Sequence, residues 1–289
     1  MSAPSAQSDA NPAVKKVLER AHEVAVMPQV VFKIMEMTGG DNSSAAALEK
    51  AIQVDPGFST RILTQANSAY FSLPRKVTSI REAIVFVGFR SVRDLAMTIG
   101  VFDMFLGKND RGSLRRRTWW RQSLDTAVAA KALATELRVG SPDEAFTCGL
   151  LHFIGKTLLE RSDQDAYNKV EDLMGMGAVD YLAEKTIYGC DHLDINQAAC
   201  RYWDFPEELV EGIEYLHPPL PGSQASPLRA MTAMCHVIAK LSTEGMPTAE
   251  RCSELPKWAL DVLGVKDGMA PSVVHRGHQA IADARILMR

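Results

Sequence analysis

Helix-start signals followed by apolar residues at three- and four-residue spacing recur along almost the whole chain. Asp55-Pro56 places a capping carboxylate before a proline at a first helical position. Three further pairs fit the capping box, in which two side chains satisfy orphan backbone amides of a helix start. They are Ser79 with Glu82, Ser141 with Glu144, and Asp204 with Glu207. No convincing run of alternating polar and apolar residues is present, and "AIVFVG" (83–88) is predicted to be a short buried helix. The sequence therefore predicts an all-α protein.

Two polar stretches interrupt the helical pattern. The Gly-rich "GKNDRGS" (107–113) separates a first helical block from a long segment that begins near Leu114. A helix cannot cross "PPLPGSQASP" (218–227), which is predicted to be a surface loop. Residues 1–13 are rich in Ser, Ala and Pro and lack the basic and apolar regions of a signal peptide, so we expect a disordered tail.

Composition excludes several classes of protein. No apolar stretch approaches the roughly 20 residues that span a bilayer. The net charge of -3 gives no general attraction to nucleic acid or anionic lipid. The five cysteines are odd in number and form no CxxC pair, which is typical of a reduced compartment. We expect a cytoplasmic protein that does not associate with a membrane.

The most specific stretch of the chain is 54–101. It contains the Asp-Pro helix start followed by "ANSAYF", "LPRKVTSIREAI" and "VGFRSVRDLA". These motifs resemble the HDOD domain, an all-helical relative of the HD phosphohydrolases that is found mainly in bacterial signalling proteins. The resemblance continues through "WWRQSLDTAVAAKALA" (119–134) and "DEAFTCGLLHFIGK" (143–156), and covers about 22 to about 244.

The resemblance implies a multi-helix HDOD fold with two lobes. We expect an N-terminal helical lobe over 14–106 and a C-terminal, HD-like helical lobe over 114–244. Residues 245–289 lie beyond the matching motifs and are predicted to form a C-terminal helical extension.

The HD phosphohydrolases bind metal through an early His, an adjacent His-Asp pair and later Asp and His residues. Such a metal acidifies a water molecule that attacks phosphorus. By resemblance, the early position falls at Gln122 and the pair at His152-Phe153, where the carboxylate is replaced by an apolar ring. Without that charge, a dication has little to offset its desolvation. The resemblance thus implies a vestigial HD site that holds no metal or other cofactor and catalyses nothing. Its expected members are Gln122, His152, Phe153, Asp191, His192 and His217.

Each of these histidines also has a structural interpretation. His152 follows two leucines on an apolar face and is expected to be a hydrogen-bonded core residue. His192 lies at a predicted helix start with Asp191 as its candidate partner, and His217 lies at a helix end. The alternative is an altered metal set of His152, His192 and His217 with Asp191 or Asp194.

A second candidate site is "LRRRTWWRQ" (114–122), which interleaves arginines with tryptophans. Arginine beside stackable indoles is typical of surfaces that bind nucleic acid or nucleotide phosphate. The interpretation that we favour is a solvated helix start whose tryptophans pack between the lobes. The possible partner or phosphate contacts are Arg115, Arg116, Arg117, Trp119, Trp120 and Arg121. A further basic set is expected to face an acidic partner or an acidic helix of the same chain, and consists of Arg75, Lys76, Arg81, Arg90 and Arg93.

The complete family signature beside missing metal ligands predicts a non-catalytic signal-transduction or regulatory module that acts through protein–protein interaction. The alternatives are a metal-dependent phosphohydrolase with an altered ligand set, and a nucleotide- or nucleic-acid-binding regulator. Because no receiver, kinase or cyclic-dinucleotide synthase motif occurs in the chain, we expect signalling proteins on other polypeptides as partners. The net charge disfavours nucleic acid.

Overall fold

All the regular structure in the described part of the chain is helical. The computed structural model describes residues 11–22, 29–36, 44–68, 71–107, 110–220, 223–245 and 249–287. Within these ranges there is no strand, which confirms the all-α prediction. No helix in them is both long and apolar enough to cross a membrane.

The α-helices fall into an early group, a later group and a C-terminal pair. The early helices are α1 (Pro12–His22), α2 (Gln29–Glu36), α3 (Ala45–Gln53), α4 (Pro56–Ala66), α5 (Ile80–Val87) and α6 (Phe89–Leu106). The later helices are α7 (Ser113–Leu137), α8 (Pro142–Leu151), α9 (Ile154–Ser162), α10 (Gln164–Gly175), α11 (Asp180–Tyr188), α12 (His192–Tyr202), α13 (Glu207–Gly212) and α14 (Pro227–Thr243). The last two are α15 (Lys257–Val262) and α16 (Ala270–Leu287).

Three of the four predicted N-caps are confirmed. The side chains of Asp55, Ser79 and Ser141 each accept a hydrogen bond from the backbone N–H three residues ahead, at 3.1, 3.1 and 3.4 Å. The Asp204 prediction is wrong. Helix α13 begins after Pro206 without a side-chain cap, and Asp204 itself adopts a left-handed conformation with φ 57°.

Helix α5 covers the "AIVFVG" stretch, so the predicted helix is confirmed but its burial is only half right. Ile80, Ala83 and Ile84 are buried, because positions i, i+3 and i+4 share one face of a helix. The next positions point outward, and Val85 is 73% and Phe86 43% exposed. The prediction of a buried helix is therefore wrong for Val85 and Phe86, which the helical period places on the surface.

Helix α7 forms the centre of the later group, where it packs against α8, α14, α16 and α6. Its approach to α8 depends on a glycine, since a Cβ on Gly149 would lie 2.6 Å from the Cα of Ala127. A second close approach lies at the start of α9, where a Cβ on Gly155 would lie 2.1 Å from the carbonyl oxygen of His192. These contacts hold α8 close to α7, and α9 close to α12.

The first and the last described helices both pack on the later group. Helix α1 contacts α9 and α12, and Asn11 Nδ2 donates to the carbonyl of Gly189 at 2.9 Å. By its contacts α1 thus joins the later helices, although the sequence placed residues from 14 onward in the first lobe. Residues 1–10 of the predicted tail lie outside the described residues, whereas Pro12 and Ala13 already belong to α1. Helix α16 packs on α7 and α14.

Candidate functional site

The candidate site lies where α8 passes into α9. His152 and Phe153 occupy this junction, and both are buried. Helices α11, α12 and α14 and the segment after α13 surround them, and contribute the remaining polar groups. Hydrogen bonds, an ion pair and ring contacts join eight residues that we call the His152 cluster: His152, Phe153, Lys156, Asp180, Glu184, His192, Tyr215 and His236.

His152 is hydrogen-bonded at both ring nitrogens. Its Nδ1 lies 2.7 Å from the carbonyl oxygen of Gly149, and its Nε2 lies 3.1 Å from Nδ1 of His236. Since a carbonyl only accepts, Nδ1 of His152 carries the proton and Nε2 accepts from His236. Burial lowers the pKa of His152 to about 3, so this imidazole is neutral at physiological pH.

His192 is also held at both nitrogens. Its Nδ1 lies 2.5 Å from Oε2 of Glu184, which in addition accepts from the backbone N–H of His192 at 2.9 Å. Its Nε2 lies 2.8 Å from the hydroxyl of Tyr215. The other carboxylate oxygen of Glu184 accepts from the hydroxyl of Tyr167 at 3.1 Å. With its Nδ1 proton directed at Glu184, His192 meets the Tyr215 hydroxyl through Nε2.

Phe153 fills the space between these polar groups. Its ring stacks on His152 with centroids 4.1 Å apart, and meets His236, Tyr215 and His192 at 5.4, 5.7 and 6.2 Å. An apolar ring therefore lies among three imidazoles and a phenol. Such a ring can pack but can neither bind a cation as an anion does nor accept a proton.

A lysine supplies the positive charge of this region. Lys156 is buried, its Nζ lies 4.9 Å from the ring centroid of Phe153, and it pairs with the carboxylate of Asp180. Burial alone would raise the pKa of Asp180, but the Lys156 ammonium outweighs it and holds that pKa at about 2. The positive charge of Lys156 is thus already balanced by the carboxylate of Asp180.

These residues do not fit a metal ion. A ligating imidazole needs a free nitrogen lone pair, but that of His152 is used by His236 and that of His192 by Tyr215. Phe153 offers no donor. Over the described ranges, no group of three or more His, Cys, Asp or Glu side chains is arranged to hold a metal ion.

Two of the predicted site residues form no hydrogen bond with this cluster. The side chain of the half-buried Gln122 on α7 makes no hydrogen bond among the described residues. His217 is half exposed, with Nδ1 3.5 Å from Oε1 of Glu214 and its ring 5.3 Å from that of Tyr181. The structure brings together only His152, Phe153 and His192 of the predicted set.

The two aspartates near His192 have structural roles. Asp191 is the N-cap of α12, and it forms a capping box with Asp194. It also pairs with Lys185 at 2.9 Å. The predicted partnership of Asp191 with His192 is wrong, because an N-cap carboxylate is directed to the amides of its own helix and leaves the imidazole to Glu184.

Sequence reasoning missed His236, Glu184 and Tyr215. His236 lies on α14 within an apolar run, and Glu184 lies on α11 beside the buried Ala183. A polar residue on the buried face of a predicted helix requires a partner, which is the signal that was available. A polar residue at such a position indicates that its side chain is hydrogen-bonded, but it does not indicate which residue is the partner.

Most of the arginine and tryptophan side chains in 114–122 are engaged by other residues of the same chain. Arg116 is fully buried between Glu160 and Asp110, at 2.7 and 2.6 Å, so it presents no charge to a ligand. Arg115 pairs with Glu171 and lies over a tyrosine ring. The tryptophans pack on aromatic neighbours: Trp119 on Tyr167 at 5.1 Å, and Trp120 on Phe102 and Phe105 at 5.3 and 5.6 Å. Arg117 and Arg121 remain exposed.

The second basic set divides in the same way. Arg93 is buried and pairs with Asp143 at the start of α8, an acidic group of the same chain. Arg75 and Arg81 pair with glutamates, whereas Lys76 and Arg90 are exposed.

Comparison with known proteins gives consistent matches. The model of the HDOD domain matches residues 24–219. An HDOD domain protein of unknown function from Geobacter sulfurreducens has a similar structure, with a TM-score of 0.76 and 22% identity over 96% of this chain and 98% of that one. A protein from Shewanella amazonensis SB2B, provisionally assigned as a phosphohydrolase, has a TM-score of 0.71 and 26% identity over 93% and 97%. An uncharacterized protein of Treponema pallidum (strain Nichols) is 21% identical over 70% of this chain but only 39% of its own length, so the chain spans well under half of that relative.

Proposed function

This chain belongs to the HDOD domain family, and on that premise we propose that it is a non-catalytic regulatory module that acts by binding other proteins. Family membership and the similar folds fit a regulatory role. Our proposal adds two points: the protein catalyses no reaction, and it acts by binding protein partners.

One observation carries the proposal: Phe153 occupies the centre of the His152 cluster. The resemblance assigns this position to the carboxylate of the His-Asp pair, and here the ring of Phe153 packs against the three imidazoles. The hydrogen bonds between His152 and His236 and between His192 and Tyr215 use the lone pairs that a metal would need. Such a fully connected network favours a rigid core over a reactive site.

Hydrolysis of a phosphate ester is the competing function, since the Shewanella amazonensis protein is provisionally assigned to that class. The test is the metal content and phosphodiesterase activity of protein purified without chelator or metal-affinity steps. We expect substoichiometric transition metal, and no hydrolysis of bis(p-nitrophenyl) phosphate above buffer with added Mn²⁺, Zn²⁺ or Mg²⁺.

The matched control is His152→Ala. If His152 is structural, the variant and the parent protein give the same null result in both assays. Stoichiometric metal together with hydrolysis that disappears in His152→Ala would refute the proposal. The proposal that the protein binds other proteins is tested separately, by in vivo cross-linking in the native host. No cross-linked protein above a non-cross-linked control would contradict it.

A further inference from the structure

One surface of the early helices combines exposed apolar residues with positive charge. We call it the α5 patch. Its members are Arg75, Lys76, Arg81, Val85, Phe86 and Arg90. Val85 and Phe86 are the exposed apolar residues at the end of α5, and the four cations surround them along the chain. Val85 and Phe86 thus present adjacent apolar surface that an association could remove from water.

Local geometry joins Arg75, Arg81, Val85 and Phe86 into one surface, and Lys76 and Arg90 lie close to it along the chain. Arg81 and Val85 are four residues apart on α5 and share a face of the helix. The guanidinium of Arg75 lies over the ring of Phe86, 5.2 Å from its centroid. Arg75 and Arg81 are each paired with one glutamate. Lys76 and Arg90 are exposed and have no ion-pair partner in the parts of the chain that the structure describes.

A surface of opposite sign lies around the start of α13. We call it the α13 patch, and its members are Tyr202, Asp204, Glu207 and Glu208. Tyr202 is 64% exposed. Glu207 pairs with Arg201 at 2.6 Å, whereas Asp204 and Glu208 are exposed without an ion-pair partner among the described residues.

The negative field of the α13 patch reaches a neighbouring carboxylate. The pKa of Glu144 is raised by its burial and, in addition, by the charges of Glu208 and Asp143. An approaching cation would relieve this repulsion.

We propose that the α5 patch of one molecule docks on the α13 patch of a second copy of this chain. The two surfaces have opposite charge, and each presents exposed apolar or aromatic side chains that association would remove from water. The helices at their centres pack on different neighbours, α5 on α3, α4 and α6, and α13 on α8, α12 and α14.

This contact is heterologous, since it joins two different patches. Heterologous contacts form a closed ring or an open filament, depending on the rotation that relates the copies. The inference goes beyond the proposed function, because it uses no residue of the His152 cluster.

Other occupants of the α5 patch fit less well. Nucleic acid and anionic lipid are disfavoured by the net charge of -3. Two of the four cations are also already paired with carboxylates of the chain. A foreign acidic protein has the right sign, but the chain itself carries an acidic, aromatic surface that complements this one.

The experiment is sedimentation velocity on the full chain over about a hundredfold range of concentration, at low and at high salt. We expect the sedimentation coefficient to rise with concentration, and to rise less at high salt. Two double variants reverse the patches separately: Lys76→Glu/Arg90→Glu, and Glu207→Lys/Glu208→Lys. Each alone is expected to associate at least about tenfold more weakly than the parent protein.

Mixing the two double variants provides the decisive measurement. The reversed α5 patch is acidic and the reversed α13 patch is basic, so an equimolar mixture restores complementary pairs. We expect the mixture to associate more strongly than either variant does alone. Recovery in the mixture also shows that both variants are folded.

A matched control reverses two exposed carboxylates elsewhere. Asp165→Lys/Asp172→Lys on α10 makes the same change in charge as the α13 variant, and should associate like the parent protein. The inference is overturned if the parent protein is monomeric throughout, if either reversal leaves association unchanged, or if the mixture stays monomeric. A monomeric parent that binds a foreign acidic protein through the α5 patch would also overturn it.

Discussion

The ring of Phe153 lies on the imidazole of His152, with centroids 4.1 Å apart and planes inclined by 27°. The two residues are adjacent in the sequence, and the turn between α8 and α9 directs both into the same cluster. Phe153 also contacts the rings of His192 on α12 and His236 on α14, and so connects the α8–α9 junction to both helices. Four predictions examine the cluster and the buried charges near it.

Phe153→Ala should destabilise the protein by about 3–5 kcal/mol, because it leaves a cavity between rings that other contacts hold in place. The measurement is the free energy of unfolding in urea. Leu220→Ala is the control: Leu220 is 78% exposed, so its truncation should change stability by less than about 0.5 kcal/mol. Equal effects of the two changes would show that Phe153 is not a packing residue.

Phe153→Asp should not by itself create a metal site. It supplies a carboxylate, but His152 and His192 still use their lone pairs for His236 and Tyr215. We expect substoichiometric zinc after equilibration and desalting, measured by elemental analysis. The double variant Phe153→Asp/Tyr215→Phe frees one lone pair and should retain more zinc than the single variant. Stoichiometric zinc in the single variant would contradict this explanation.

Arg116→Met should cost about 3–5 kcal/mol of stability, since it leaves the buried carboxylate of Glu160 without its close partner. Burial already raises the pKa of Glu160 although Arg116 opposes that shift. The double variant Arg116→Met/Glu160→Leu removes both charges and should recover most of the loss. Urea unfolding of the three proteins is the measurement. A double variant as unstable as Arg116→Met would count against the ion-pair interpretation.

Stability should fall as the pH is lowered below about 6.5. The pKa of His152 is about 3 in the folded protein because of burial, whereas an unfolded histidine titrates near 6.5. Between these values the unfolded state binds a proton that the folded state does not, so acid favours unfolding by about 1.4 kcal/mol per pH unit for this one proton.

Urea unfolding between pH 7 and pH 4.5 measures this dependence. In His152→Asn, the slope of the free energy of unfolding against pH should be smaller by the contribution of one proton. Leu220→Ser, which changes no titrating group, should keep the slope of the parent protein. A parent protein whose stability is flat over this range would contradict the assignment of His152 as a buried neutral imidazole.

Features that depend on neighbouring residues were predictable from the sequence. The caps at Asp55, Ser79 and Ser141 and the helical class follow from interactions within about one turn of chain, so the sequence pattern specifies them. The motifs of 54–101 were sufficient to indicate the family, which the match over 24–219 shows.

The partners of the buried groups were decided only by the packing of helices. His236 meets His152 across 84 positions, and Glu184 rather than Asp191 holds His192. Arg116, which the sequence placed among candidate surface arginines, is buried against Glu160, 44 positions away. A capping or helical pattern fixes which face of a helix is apolar, but the crossing of one helix over another determines which side chains meet. That crossing depends on close approaches such as Gly149 on Ala127, which no local pattern contains.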